Sequence, residues 1–110
     1  MEIDEAAAVL AQLGNPARLA ILRSLVRAGP EGLSVGEVGA RVGLAPSTLA
    51  FHLRGLVAAG IVRQEKQGRM VLCRPCFAVL DEVTNFLRAE CCADRVRSAP
   101  HRAMSEGNAA

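Results

Sequence analysis

A three-residue connector, Gly43-Leu44-Ala45, constrains the fold of this chain more than any other sequence feature. It separates two segments whose apolar residues recur at helical spacing. The shorter segment opens with Ser34-Val-Gly-Glu37, a capping-box pattern for the start of a helix, and the longer one runs from Pro46 to Gly60. Because two helices joined by so short a turn form a helix-turn-helix, we predict this motif at the centre of the chain.

Three further helices are predicted from the same kind of apolar periodicity. Residues 3–13 form an amphipathic segment, and residues 16–28 form a second one that Asn15 is placed to cap. A longer apolar stripe over residues 77–91 predicts the last helix. The helix-turn-helix is therefore expected to lie between two helices on its N-terminal side and one on its C-terminal side.

Two strand-like runs, residues 61–66 and 69–74, follow the helix-turn-helix. Gln67-Gly68 between them predicts a two-residue hairpin turn, since glycine readily adopts a positive φ. This order of elements is that of a winged helix-turn-helix. We therefore predict a mainly α fold with a β-hairpin, in one domain over residues 1–92, followed by a flexible C-terminal tail over residues 93–110.

Composition and charge exclude several classes of protein. No stretch approaches the length of about eighteen apolar residues that a membrane-spanning helix needs. The first five residues are acidic where a signal peptide is basic, so we expect a cytoplasmic protein with no membrane partner. The two histidines, His52 and His101, belong to no evident pairing of a nucleophile with a base, so we do not expect an enzyme.

Basic residues are concentrated in the middle of the chain, although the net charge is only +2. Residues 41–74 carry six basic side chains and one acidic side chain, whereas the flanking segments are slightly acidic. This pattern predicts a surface that faces nucleic-acid phosphates, and its alternative is an ordinary solvated face.

The outer arc of the longer helix and the hairpin provide the predicted DNA contacts, which are Ser47, Thr48, Phe51, His52, Arg54, Lys66 and Arg69. Hydroxyl and guanidinium groups on such a helix can donate to phosphates or base edges. Phe51 either touches a thymine methyl group or packs against a neighbouring helix. His52, at the edge of the buried stripe, is either a base contact or a half-buried, hydrogen-bonded side chain.

Three segments resemble a known family: Asn15-Pro-Ala-Arg-Leu-Ala-Ile-Leu22, Pro46-Ser-Thr-Leu-Ala-Phe-His-Leu53 and Ala59-Gly-Ile-Val62. They are similar to segments of the arsenic- and metal-responsive repressors of the ArsR/SmtB family, and the resemblance extends over about residues 5–92. It implies a homodimer formed through the first and last helices. It also implies that the dimer binds a palindromic operator in double-stranded DNA and leaves it when an inducer binds.

Four cysteines form two pairs, Cys73-Arg-Pro-Cys76 and Cys91-Cys92. Thiolates are soft ligands that suit zinc, copper(I) or trivalent arsenic. The second pair resembles the vicinal cysteines that end the last helix in the arsenite-sensing branch of the family. The resemblance implies Cys91 and Cys92 as ligands of arsenite or methylarsenite, with antimonite as a further candidate. The alternative is two buried thiols that act as small apolar side chains.

Geometry limits how these thiols can share one ligand. Neighbouring side chains on a helix diverge by about 100°, so both sulfurs reach one ion only if the last helix ends or unwinds near Cys91. Cys76 would lie about 22 Å from Cys91 along a straight helix. Across an antiparallel pair of last helices, however, the start of one helix lies near the end of the other. We therefore hypothesise a site of Cys91 and Cys92 with Cys76, or otherwise Cys73, from the partner subunit.

The sequence thus predicts an arsenic-responsive transcriptional repressor, for which three points stay open. The thiols could instead form a disulfide in a redox-sensing repressor. All four cysteines could instead hold a structural zinc ion, although the residues of this chain do not match the zinc sites that the resemblance to the family implies. Cys73 could also be a sheet residue with no ligand role.

Overall fold

The computed structural model describes residues 1–95, and this part of the chain contains five helices and three strands. In chain order they are α1 (Ile3–Leu13), α2 (Pro16–Ala28), β1 (Leu33–Ser34), α3 (Val35–Val42), α4 (Pro46–Ala58), β2 (Val62–Gln67), β3 (Met70–Pro75) and α5 (Phe77–Arg88). The predicted winged helix-turn-helix is confirmed. Most of the predicted tail, residues 96–110, lies outside the described residues. Within residues 1–95 no helix combines the length and apolar character needed to cross a bilayer.

Local capping explains where the central helices begin. The Oδ1 atom of Asn15 accepts hydrogen bonds from the backbone N–H groups of Ala17 and Arg18, at 2.8 and 3.2 Å. At the start of α3, Ser34 and Glu37 exchange side-chain and backbone hydrogen bonds as the predicted capping box. The hydrogen bond that the backbone N–H of Ser34 donates to the Glu37 carboxyl also lowers the pKa of that carboxyl. The sequence therefore fixes the start of both helices through local contacts.

The core lies between α2, the helix-turn-helix and the sheet. Its fully buried side chains are Ile21, Leu25, Val38, Leu56, Ile61, Val62 and Cys73. Leu49 and Leu53 of α4 are also buried, but Val57 is 37% exposed because α4 turns that side away from the core. Ile3 of the first apolar segment and Leu87 of the last one are exposed in the single chain.

The hairpin differs from the prediction by one residue. Gln67 pairs with Met70, so the turn consists of Gly68 and Arg69 instead of Gln67 and Gly68. Gly68 has a φ of 62°, and no positive φ occurs at Arg69. Glycine at the first turn position alone is the type II′ pattern, whereas the predicted turn would have required a positive φ at glutamine as well. A third strand, β1, was not predicted; it adds to β3 on the side opposite β2.

The last helix ends earlier than predicted. α5 stops at Arg88 instead of near Cys91, and residues 89–94 form consecutive turns. The backbone N–H of Cys91 donates to the carbonyl of Arg88 at 3.1 Å, and that of Arg95 donates to the carbonyl of Cys92 at 3.0 Å. Glu90 and Cys92 both have a positive φ, near 60°, which a right-handed helix cannot include. α4 also ends two residues before the predicted Gly60.

Candidate functional site

The predicted DNA contacts on α4 share one exposed face. Ser47, Thr48, Phe51 and Arg54 are all exposed, and their spacing of three or four residues places them in a row along the helix. The hydroxyl groups lie in the first turn and the guanidinium lies two turns later. This row of donors around one aromatic ring suits a helix that lies in the major groove of DNA.

Basic side chains on the hairpin extend this face. Lys66 and Arg69 are exposed, as predicted, and Arg69 lies at the tip of the turn. Arg74 differs, because its Nη1 atom donates to Glu65 Oε1 across the two strands. This hydrogen bond lowers the pKa of the Glu65 carboxyl, and the pair neutralises itself. The β2–β3 hairpin is the wing of this fold. Its Lys66 and Arg69 side chains are free to contact phosphates, whereas Arg74 is already paired with Glu65.

His52 lies behind the exposed face of α4 instead of on it. Only 9% of its surface is exposed, and its Nδ1 accepts a hydrogen bond of 3.2 Å from Nε of Arg18 on α2. The structure therefore corrects its place among the predicted DNA contacts and agrees with the alternative of a hydrogen-bonded interior histidine. Its ring also lies edge-on to Phe51, with 5.4 Å between the centroids.

Phe51 remains on the surface, with 55% of the residue exposed. The Cζ atom of Arg18 lies 5.7 Å from the ring centroid, within the range of a cation–π contact. The ring is therefore supported from α2 without being covered by it. We call α4 the recognition helix, because it is the helix predicted to enter the major groove. An exposed aromatic side chain in the middle of this helix, held by a contact from α2, is available to a thymine methyl group.

The sulfurs of Cys91 and Cys92 lie 3.4 Å apart, and both residues are exposed. The helix has ended before them, so the divergence of about 100° between neighbouring helical side chains does not apply. The positive φ of Cys92 belongs to the turn that places both sulfurs together. The helix ends before Cys91, as a shared ligand requires, and in the single chain neither thiol is buried.

The other two cysteines lie apart from this pair. Cys73 is fully buried in the central strand, where Gln64 Nε2 donates to its sulfur at 3.5 Å. Burial raises the pKa of the Cys73 thiol, which disfavours the thiolate that a metal requires. Cys76 is half-buried at the N-cap of α5. Residues 1–95 of one chain contain no group of three or more side chains able to hold a metal ion, so no four-cysteine zinc site forms within it.

Comparisons with known proteins agree with this geometry. The family described as a helix-turn-helix domain matches residues 13–65. The transcriptional regulator YceK of Bacillus subtilis is 36% identical over 63 residues, which are 57% of this chain and 62% of that protein. The nodulation protein NolR of Rhizobium meliloti is 38% identical over 66 residues, 60% of this chain and 52% of that protein. The chain thus spans between half and two thirds of these curated relatives.

A solved structure extends the match to most of both chains. An ArsR-like transcriptional regulator from a Rhodococcus species is 31% identical, with a TM-score of 0.71 over 84% of this chain and 85% of the other. The chain belongs to the ArsR family of transcriptional regulators. This membership confirms the family predicted from three short segments, and the relatives that the chain matches are regulators of transcription. The arsenite-sensing branch stays a prediction.

Two residues that contribute to the candidate DNA-binding site were not identified from the sequence. Arg18 lies within a segment that carries the family resemblance, yet no pattern gave it a role, because its partner His52 is 34 positions away. Gly55 of α4 is half-buried, and a Cβ atom there would lie 2.6 Å from Gln12 Oε1. Only the packing of α1 and α2 against α4 reveals either contact.

The different environments of the cysteines predict different reactivity towards iodoacetamide. In the reduced native protein we expect Cys91 and Cys92 to be carbamidomethylated at least tenfold faster than Cys73, because Cys73 is buried and its thiol pKa is raised. Mass spectrometry of peptides after timed quenching measures the three rates. In denaturant the rates should become similar, and equal rates in the native protein would contradict the placement of Cys73.

Proposed function

We propose that this ArsR-family protein is an arsenic-responsive repressor whose dimer leaves operator DNA when Cys91 and Cys92 bind trivalent arsenic. The observation that carries the proposal is the 3.4 Å separation of two exposed sulfurs directly after the last helix. Exposed adjacent thiols form a two-point ligand for a thiophilic ion that enters from solvent. The proposal has three parts: DNA binding, dimerisation and the inducer.

DNA binding is assigned to the exposed face of α4 and to the wing. The side chains of Ser47, Thr48 and Arg54 donate to base edges and phosphates, and Lys66 and Arg69 reach phosphates beside the groove. Such phosphate contacts make the affinity depend strongly on salt, because each one releases bound counterions. We therefore expect operator affinity to fall steeply with salt concentration.

Dimerisation is assigned to α1 and α5, in agreement with the resemblance to the family. These two helices pack against each other, and each leaves large apolar side chains exposed. Ile3 is 70% exposed and Leu87 is 59% exposed, while Leu10 and Phe77 are each more than a third exposed. A second copy that covers these side chains would remove them from water. Two-fold symmetry would then present two recognition helices to successive major grooves.

The soft chemistry of the two sulfurs suits trivalent arsenic as well as zinc. Two thiolates on a tetrahedral zinc ion lie about 3.8 Å apart. The lone pair of trivalent arsenic compresses its bond angles below the tetrahedral value, so its sulfur ligands lie closer together. At 3.4 Å the two sulfurs lie close enough to bind one ion together. A mono-organoarsenical is satisfied by these two thiolates, and inorganic arsenite takes Cys76 of the partner subunit as its third.

Release of DNA follows from the position of the thiols just after the end of a dimerisation helix. Arg88 is the last residue of α5, and its carbonyl accepts the hydrogen bond from Cys91. A ligand that ties the two sulfurs together changes this turn and therefore the end of α5. When that helix end also contacts the partner, the spacing of the two recognition helices changes. A coupling of about 1–3 kcal/mol per site would be sufficient for release.

Fluorescence anisotropy of a labelled duplex from the protein's own promoter tests the proposal. Reduced protein is bound to the duplex and titrated in parallel with arsenite, methylarsenite and zinc. Release by low micromolar trivalent arsenic, with zinc ineffective, supports the arsenic-responsive repressor. Retention on DNA at excess arsenite and methylarsenite overturns the arsenic part, and failure to bind the promoter overturns the repressor assignment.

A redox-sensing repressor is the second candidate, because two exposed sulfurs at 3.4 Å could also be oxidised to a disulfide. Adjacent residues joined by a trans peptide hold their Cα atoms 3.8 Å apart, below the usual range of about 4.4–6.8 Å for disulfides. An oxidised pair would therefore be strained, which favours the arsenic reading. A peroxide titration of the same DNA complex distinguishes the two, since release by peroxide and not by arsenic supports the redox sensor.

A further inference from the structure

Arg18 lies on α2, outside the helix-turn-helix, yet its guanidinium lies along α4. Its Nε donates to His52 Nδ1 at 3.2 Å, and its Cζ lies 5.7 Å from the centre of the Phe51 ring. A Cβ atom built on Gly55 would lie 3.6 Å from both Cζ and Nε. The guanidinium therefore contacts three positions on one side of the recognition helix.

These contacts restrict the orientation of Phe51. An exposed aromatic side chain on a helix ordinarily has more than one rotamer open to it. Here Arg18 lies over the ring, and His52 meets it at an interplanar angle of 66° with 5.4 Å between the centroids. His52 cannot move away, because it is buried and holds its own hydrogen bond to Arg18. The ring is thus held from two sides while 55% of the residue remains exposed.

Gly55 gives the guanidinium the space that it needs. Gln12 of α1 also approaches this position, and its Oε1 would lie 2.6 Å from a Cβ atom there. The same oxygen is buried and has no hydrogen-bond partner among residues 1–95. Polar side chains of α1 and α2 therefore both contact α4 at Gly55, which has no side chain. Arginine suits this place because its planar guanidinium can stack and donate at once, which an ammonium cannot.

We propose that Arg18 is a positioning residue for DNA specificity: it holds the Phe51 ring in the orientation that contacts a thymine methyl group of the operator. The proposal rests on the DNA-binding part of the proposed function and is independent of arsenic. Arg18 acts through Phe51, and its effect is therefore confined to one thymine in each half-site.

Substituting uracil for thymine removes only the methyl group and tests this proposal. Each thymine of the promoter duplex is replaced in turn, and affinities are measured by anisotropy for the wild-type protein. We expect about a fourfold loss at one thymine per half-site, the amount that burial of one methyl group predicts. In Arg18→Met and Arg18→Lys the thymine and uracil duplexes should bind equally. Arg23→Lys, on an exposed position of the same helix, should keep the fourfold preference.

The outcomes separate this proposal from its alternatives. Phe51→Ala should lose the same preference, and adding Arg18→Lys to it should change nothing further. The proposal is overturned if Arg18→Met lowers the affinity for the thymine and uracil duplexes by the same factor, so that the fourfold preference is kept, and Arg18→Lys restores both affinities. Arg18 would then be a phosphate contact. The proposal is also overturned if the wild-type protein shows no uracil effect at any thymine. By contrast, a wild-type protein that fails to bind the promoter overturns the proposed function itself, and thermal melts identify any variant that fails to fold.

Discussion

Replacing Cys91 and Cys92 together by serine is expected to abolish the release of operator DNA by trivalent arsenic. Operator affinity without arsenic should stay within about twofold of wild type, because both side chains are exposed and contribute little to folding. Serine keeps the size and shape of cysteine but does not supply the soft thiolate that arsenic binds. The arsenic titration of the promoter complex, followed by anisotropy, measures the effect. We expect no release at a hundredfold excess over the wild-type midpoint.

Single variants show how the ligand is shared. Cys91→Ser and Cys92→Ser should each lose the response to methylarsenite, since each leaves one thiolate of the close pair. Cys76→Ser should weaken the response to arsenite and spare that to methylarsenite, because only arsenite takes the third thiol. Unchanged stoichiometry and affinity for arsenite in Cys76→Ser would remove the partner's thiol from the site. Normal release of the double serine variant would remove the vicinal pair from the mechanism.

The features that the sequence predicted correctly depend on local patterns. The Asn15 cap and the Ser34 capping box each involve residues within about four positions of one another, and the helix-turn-helix follows from a three-residue connector between two helical periodicities. The early end of α5 could not be predicted in this way, because Glu90 and Cys92 adopt a positive φ without being glycine. The strand β1 is two residues long and exists only through its pairing with β3.

The candidate site shows the same division between local and distant contacts. The exposed row on α4 and the vicinal cysteines follow from spacing alone. His52 is held in the interior by a hydrogen bond from Arg18 on a different helix. The sequence alone therefore left open whether His52 is a base contact or an interior side chain. Cys73 likewise needed the sheet register before its burial could be known. Long-range packing decides which side chains of a predicted surface stay on it.

A charge placed on the exposed apolar face of α5 should have an effect as large as loss of the thiols. Leu87 is 59% exposed in the single chain, so Leu87→Glu should change the folding of one subunit little. In the proposed dimer the same side chain is buried, where an unpaired carboxylate is strongly unfavourable. We therefore expect a folded monomer by sedimentation at concentrations where the wild type is a dimer.

Operator affinity should then fall by at least about a hundredfold, because the two recognition helices are no longer linked in one dimer and cannot bind the two half-sites together. Val26→Glu is the matched control: Val26 is also apolar and 42% exposed, but it lies on α2. This control should remain dimeric and bind the operator as the wild type does. A Leu87→Glu protein that stays dimeric with full affinity would place the interface elsewhere. That result would also contradict the proposed mechanism of release, because Cys91 and Cys92 follow this helix and are proposed to change the spacing of the recognition helices through it.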